Sequence, residues 1–505
     1  MSLFTRLGRY MMDGMVDSMM NRMLEDPYPE NLWSMVPILN KVHWQNLLEA
    51  GMRATKGKPI ERPMGSPIVR SDWDTLLFNP MHLFQMPVKD SDKIDTSTTI
   101  GPEAENPLHL KIPIMIAGMS YGGALSLKTK QALAKGASLA GTATNTGEAP
   151  LIQEERDAAE ILIGQYNRGD WLNDEEQLRQ LDAIEIQLGQ GAQGSAPQNT
   201  PAWMTGPGFR RRYKLHRGEK ARIHSRLPGV DSPKDFINLV GELRRSYKVP
   251  IGLKIAATHH LERELEIALE AGIDFFVVDG AEGGTHGGAP ILQDDLGLPT
   301  LPALVRTADF IEAAGMRRKV SIVATGGLVS PGHYLKAMAL GADAVYIGTI
   351  AIMALLNTQM NKAMTFEPAI QMVLYTAKYH EDFKVDEGAL ALAHYLKSCA
   401  KEMELVAYSV GKKSLKEIGR VDMCATDIEI ARLCRIDYAN YAPNNQPAWH
   451  DRAQSDEDRR GVPLQAANRA DQGPEGQQEP SASNAVADSG LREKPAEKDR
   501  PDPIH

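Results

Sequence analysis

Cysteine is the scarcest useful residue in this 505-residue chain: Cys399, Cys424 and Cys434 are the only three. No CxxC pair occurs, which argues against a zinc site or iron–sulfur cluster built from cysteines alone. Three thiols are also too few for a disulfide framework, so a reducing, cytoplasmic location is expected. Long apolar runs are missing as well: no stretch reaches the ~18 residues of a spanning helix. The start, LFTRLGRYMMDGMVDSMMNRML, lacks the compact apolar core and cleavage site of a signal peptide. It is Met-rich and amphipathic, and is expected to form a helix packed on the body or on another subunit of a homo-oligomer. Attachment to a membrane surface is the less favoured use of such a helix. Positive charge is not in excess; the net charge of -9 argues against nucleic acid as a partner. Aromatic residues stop at Trp449. The polar, Pro-rich stretch 446–505 cannot bury enough apolar surface to offset its ordering entropy and is expected to be a disordered tail.

What is present is a rhythm. Hydrophobic residues make up 42% and charged residues 24% of the chain, values of a soluble globular protein. From residue 111, short apolar runs alternate with helical patterns: KIPIMIAGMS, GTATNTGE, ILIGQYN, IEIQLGQGAQG, IGLKIA, DFFVVDGAEGGT, VSIVATGG and AVYIGT. Runs this apolar suggest strands buried on both faces, as in a parallel sheet. Their number and spacing predict an α/β fold, a (β/α)8 TIM barrel over 111–360. An N-terminal helical and extended arm (1–110) precedes it and a C-terminal helical extension (361–445) follows. That extension is expected to close one end of the barrel or to form an oligomer contact. A doubly wound sheet is the alternative, but AGMSYGG after the first strand is not the G-x-G-x-x-G it would want.

In a barrel the chemistry sits where strands end. Those positions read Gly118-Met119-Ser120, Asn145-Thr146-Gly147-Glu148, Gln165, Glu185 with Gln187, Lys254, Asp279 with Gly283-Gly284-Thr285, Gly326-Gly327 and Gly348-Thr349. The last two pairs follow strands seven and eight, where barrels commonly bind a phosphate through backbone N–H groups. Glycines needed only for the strand-to-helix turns are the plainer explanation. Lys254 ends an apolar strand, so its ammonium points into the barrel mouth, to hold an anionic ring or a carboxylate; a Schiff-base lysine is the rival chemistry. Glu185 is placed to orient an amine or to pair with Lys254. No metal-ligand cluster is read in the chain. An insertion at about 194–230 carries RRRYKLHRGEKARIHSR, with eight Lys or Arg and one acid. It is a solvated basic loop or an electrostatic funnel for a dianionic substrate or an acidic electron-transfer partner.

The phrases TTIGPEAENPLHLKIPIMIAGMSYGGALS, GTATNTGEAP, EIQLGQGA, GLKIA, VDGAEGGTHGGAP, ATGGL and GADAVYIGT, in this order, resemble the FMN-binding synthase domain of glutamate synthase in its stand-alone form. The resemblance implies FMN as cofactor and reductive amination of 2-oxoglutarate to glutamate. It implies Gly326, Gly327, Gly348 and Thr349 at the FMN phosphate, with Gly118, Met119, Ser120, Asn145 and Gln165 around the ring. Lys254 and Glu185 become the catalytic pair. Ser120, Gln187, Gly283, Gly284, Thr285 and His286 become the substrate side. Four departures stand out, one being Gly147-Glu148-Ala149-Pro150 where the family has Gly-Glu-Gly-Gly. There is no cysteine near the N-terminus, so no amidotransferase is expected. There is none in IAIMALLNTQMNKAMTFEP either, so no iron–sulfur cluster is expected. Gln187 replaces the Lys of the family's Glu-Ile-Lys phrase. Ammonia would then come from outside and electrons from NAD(P)H or a separate electron-donor protein. Two alternatives follow: an FMN barrel acting on another amino, hydroxy or keto acid, like N-methylglutamate synthase, and a non-enzymatic scaffold that keeps FMN for stability.

Overall fold

The eight apolar runs become eight parallel strands: β1 (Ile114–Ile116), β2 (Thr144–Asn145), β3 (Leu162–Tyr166), β4 (Ala183–Gln187), β5 (Ile251–Ala256), β6 (Phe275–Asp279), β7 (Ser321–Thr325) and β8 (Ala344–Ile347). They are seen in a computed structural model that describes residues 3–42, 44–57, 72–285, 292–293, 295–362 and 369–441. His286 and the polar tail lie outside the described residues. The strands follow one another around the sheet, from β1 through β8 and back down to β2. The Ile116 N–H donates to the Ala143 carbonyl at 3.0 Å and closes the ring. Helices connect the strands on the outside, so β4, β6 and β7 are buried along their whole length. This is a (β/α)8 barrel.

Side chains alternate along each strand. The inward set Met115, Ala143, Ile163, Ala183, Phe275, Val277, Val323, Ala344 and Tyr346 forms one inner cluster, and Ile100, Leu108 and Leu110 join it. These last three come from an antiparallel hairpin, Thr98–Ile100 with Leu108–Leu110. It packs against the starts of β5 and β6: a Cβ on Gly101 would lie 2.7 Å from Pro250 and 3.2 Å from Asp274. The N-terminal arm therefore plugs the barrel floor, and closure of this end falls to it. Leu108 and Leu110 point inward while His109 faces out, which is the alternation a plug requires. The long C-terminal helix Val385–Val410 instead packs on helices Trp44–Lys56, Leu127–Ala140 and Thr349–Leu356, outside the barrel. Its Ala389, Leu392, Tyr395, Leu396, Cys399 and Met403 make a continuous buried stripe, and its Glu402 pairs with Arg53 at 2.7 Å. Among the described residues, no helix is long and apolar enough to cross a membrane.

Local signals hold where expected. The Ser232 side chain accepts from the Asp235 N–H and caps helix Pro233–Ser246. Ser232→Ala is expected to lower unfolding free energy by about 1 kcal/mol in a urea titration. The insertion is more ordered than a solvated loop. Strands Gln198–Thr200 and Ala221–Ile223 pair, and Phe209 stacks on Tyr213 with ring centroids 3.9 Å apart. Phe209 sits so close to Gly122 that a Cβ there would lie 2.4 Å from its ring. The insertion thus covers the loop after β1. Arg212 lies over the Tyr121 ring at 5.2 Å and pairs with Glu154, so part of the basic run is structural. Arg211, Arg217, Lys220 and Arg222 remain exposed.

Candidate active site at the barrel mouth

Lys254 lies in register with Gln187 on β4 and Val277 on β6. It follows Gly252 by two, and a Cβ on Gly252 would strike the inward ring of Phe275 at 2.3 Å. Period two therefore turns Lys254 inward as well. Its ammonium is buried and pairs with Asp279 Oδ2 at 3.0 Å. Burial alone opposes the charge, but Asp279, Glu185 and Glu148 together outweigh it, and the Lys254 pKa lies above the ordinary value. A lysine held charged in this way is poor material for a Schiff base, which needs the free amine.

Glu185 is not the ion-pair partner of Lys254. Its two oxygens are taken by Gln165 Nε2 at 2.7 Å and the Tyr346 hydroxyl at 2.9 Å. That hydroxyl accepts in turn from Asn145 Nδ2 at 3.2 Å. Burial, with Glu185 beside it, holds the Tyr346 phenol well above its usual pKa, so it remains a donor. One buried chain of hydrogen bonds thus joins β2, β8, β4 and β3.

The expected ring-lining residues come together. A Cβ on Gly118 would lie 2.6 Å from Gln165 Nε2 and 2.8 Å from Asn145 Oδ1. Asn145 Oδ1 accepts the Gly147 N–H at 2.9 Å. Gly147 has φ +69°, and a Cβ there would be 2.5 Å from the Ser120 nitrogen. Behind these loops stands Lys130 of helix Leu127–Ala140, fully buried. Its Nζ donates to the carbonyls of Met119 (2.8 Å), Asn145 (2.9 Å) and Thr146 (3.2 Å) and pairs with Glu155 at 2.8 Å.

The two glycine pairs sit side by side above β7 and β8. Gly326 and Gly327 have φ +111° and +68°, which by itself accounts for glycine there. Gly348 precedes helix Thr349–Leu356, whose first turn has no side-chain cap. Such a turn presents unpaired N–H groups to an anion. A Cβ on Gly348 would lie 4.0 Å from Met119 Sδ, and one on Gly284 would lie 3.2 Å from Thr349 Oγ1. Gly283 is close to the lysine pair: its Cβ would be 2.6 Å from Asp279 Oδ1. The loop after β6 therefore reaches both the Lys254 pair and the helix start at Thr349. Thr285 is its last described residue before His286.

Sequence reasoning missed a second charged cluster. Arg168, fully buried, directs Nε at Glu148 Oε1 (3.3 Å) and at Gln187 Oε1 (3.2 Å). Arg168 Nη1, Arg168 Nη2 and Gln187 Nε2 have no hydrogen-bond partner among the described residues. Burial raises the Glu148 pKa, against the pull of Arg168 and Lys254. Arg168 lies beyond the end of β3, off the inward alternation of that strand, so period two gave no signal for it.

A closed barrel with a buried lysine–carboxylate pair and a polar network at the C-terminal mouth has the layout of a (β/α)8 enzyme. The chain belongs to the glutamate synthase family: the conserved region in glutamate synthase matches residues 74–413. It is 32% identical over 391 residues to the glutamate synthase large subunit-like protein of Rhizobium meliloti, covering 73% of this chain and 87% of that protein. It is 33% identical over 265 residues to the archaeal-type glutamate synthase (NADPH) of Thermotoga maritima, covering 52% of this chain and 51% of that one. The chain thus spans about half the length of the archaeal-type relative. Among solved structures it is similar to a double mutant of flavocytochrome b2 with pyruvate bound, with a TM-score of 0.47 and 16% identity over 92% of this chain and 98% of that one.

Proposed function

We propose that this chain is an FMN-dependent oxidoreductase of the glutamate synthase type. It aminates 2-oxoglutarate reductively to glutamate, with ammonia and electrons supplied from outside and no iron–sulfur cluster of its own. The observation that carries the reading is the charged Lys254, buried against Asp279, in a chain whose residues 74–413 match the family. The fit to FMN rests on the uncapped helix start at Gly348, whose missing Cβ leaves open the space beside Met119. Gly326, Gly327, Gly348 and Thr349 would hold the phosphate, and Met119, Ser120, Asn145 and Gln165 the ring. FMN would supply the hydride. Lys254 fixes a positive charge where a carboxylate or an anionic ring must be held. Glu185, fastened by Gln165 and Tyr346, offers a carboxylate to an amine. The insertion packed over the β1 loop limits water at that side of the mouth.

A second reading keeps the flavin and changes the acid. Gln187, bonded to Arg168 where the family phrase has Lys, favours a substrate related to 2-oxoglutarate rather than identical to it.

The test is direct. Purified protein should be yellow, and denaturation should release FMN; colourless protein that takes up no FMN on reconstitution refutes the proposal. Gly348→Val fills the space beside Met119 and is expected to lose flavin on desalting while its melting temperature without flavin stays that of the wild type.

A further inference from the structure

Three buried nitrogens at the mouth ask for a ligand: Arg168 Nη1, Arg168 Nη2 and Gln187 Nε2. A guanidinium is always charged and only donates. The Gln187 oxygen must therefore be the atom that faces Arg168 Nε, and its amide nitrogen lies on the Glu148 side, where it steadies that carboxylate without full hydrogen-bond geometry. Orphaned buried donors of this kind are rare in native proteins, and each calls for an explanation. Gln187 is the register neighbour of Lys254 across β4 and β5, so the orphaned donors lie one strand from the charged lysine.

Resting on the flavin-dependent reading above, we propose that Arg168 and Gln187 form the subsite for a substrate carboxylate, which holds a small oxo acid with its reacting carbon toward Lys254. A carboxylate is the complementary group: it only accepts, and its two oxygens match the two Nη nitrogens of a guanidinium fork. A water could accept as well, but it would bring two donors of its own. The orphaned acceptor Asp279 Oδ1 belongs to the Lys254 ion pair and not to this cluster. Glu148 does not exhaust the arginine, since it contacts Nε alone.

Calorimetric titration of the FMN-loaded 505-residue chain tests the subsite, with 2-oxoglutarate as probe and its dimethyl ester as control. The wild type should bind the acid and not the diester. Arg168→Met should keep its FMN and bind the acid about thirtyfold more weakly. Gln187→Leu leaves the Arg168–Glu148 pair standing and should weaken binding about fivefold. Equal binding of acid and diester, or an unchanged Kd in an FMN-loaded Arg168→Met, overturns the proposal. If Arg168→Met does not fold, the Kd of Gln187→Leu decides by the same rule. Wild type without FMN would end the flavin reading alone, because the same titration on the colourless protein still tests the carboxylate subsite.

Discussion

Lys254→Met is expected to lower kcat/KM for the oxo acid by roughly 10²–10³ and to destabilise the fold by about 3 kcal/mol. Both effects have one origin. Methionine fills nearly the volume of the lysine stem but leaves Asp279 buried without its 3.0 Å partner. Asp279 Oδ1 already lacks a hydrogen bond, so the carboxylate has nothing to fall back on. The double variant Lys254→Met/Asp279→Asn separates the two losses: the buried charge is gone, so stability should return, while turnover should not. Steady-state kinetics and urea titrations on the three proteins supply the comparison. Turnover at wild-type level in the single variant would remove Lys254 from the site. The pH dependence follows from the raised pKa of Lys254, in which burial is outweighed by its three carboxylate neighbours. A raised lysine stabilises fully below its ordinary value of 10.5 and loses that contribution only as pH rises through the higher folded value. The stability gap between wild type and variant should hold through neutral pH and close in strong alkali.

The sequence carried the barrel because its strands are apolar runs of the right number, and period two then pointed Glu185, Gln187 and Lys254 inward without any contact being known. Pairing was another matter. Glu185 and Asp279 stand on opposite sides of Lys254, and which one takes the ion pair depends on what else reaches Glu185. Gln165 does, as its register partner on the neighbouring strand β3, and Tyr346 does from β8, distant in sequence. Tyr346 was within reach of pattern reasoning, since it sits two residues before Gly348 on an inward face. Arg168 was not, because a loop residue acts through side-chain length rather than strand parity. The floor hairpin was hidden for a different reason. Thr98–Ile100 and Leu108–Leu110 are three-residue strands, too short to declare themselves until the barrel they plug exists. Lys130 had the least signal of all. In LSLKTKQ it reads as one more helix-surface lysine, like its neighbour Lys128, which is a third exposed.

Lys130→Met should be the most damaging change to the scaffold of the site, costing about 3–5 kcal/mol. One ammonium holds three carbonyls, those of Met119, Asn145 and Thr146, so it ties the loop after β1 to the loop after β2. Those loops carry the residues proposed for the flavin ring. Removing the ammonium leaves the three carbonyls short of a donor and Glu155 buried without its 2.8 Å partner. Burial already raises the Glu155 pKa, with Lys130 opposing it. In the variant that opposition is gone, so Glu155 takes up a proton more readily. A carboxylate with a raised folded pKa costs stability as pH rises above its unfolded value. The deficit of Lys130→Met should therefore be smaller at pH 5 than at pH 8. Lys130→Met/Glu155→Leu removes the charge but not the carbonyl defect, so it should regain stability at pH 8 and still retain less flavin than wild type after desalting. Urea titrations at the two pH values and the flavin content of both variants settle the point. Lys130→Met within about 1 kcal/mol of wild type, with full flavin content, would show that the β1 and β2 loops hold their shape without this lysine.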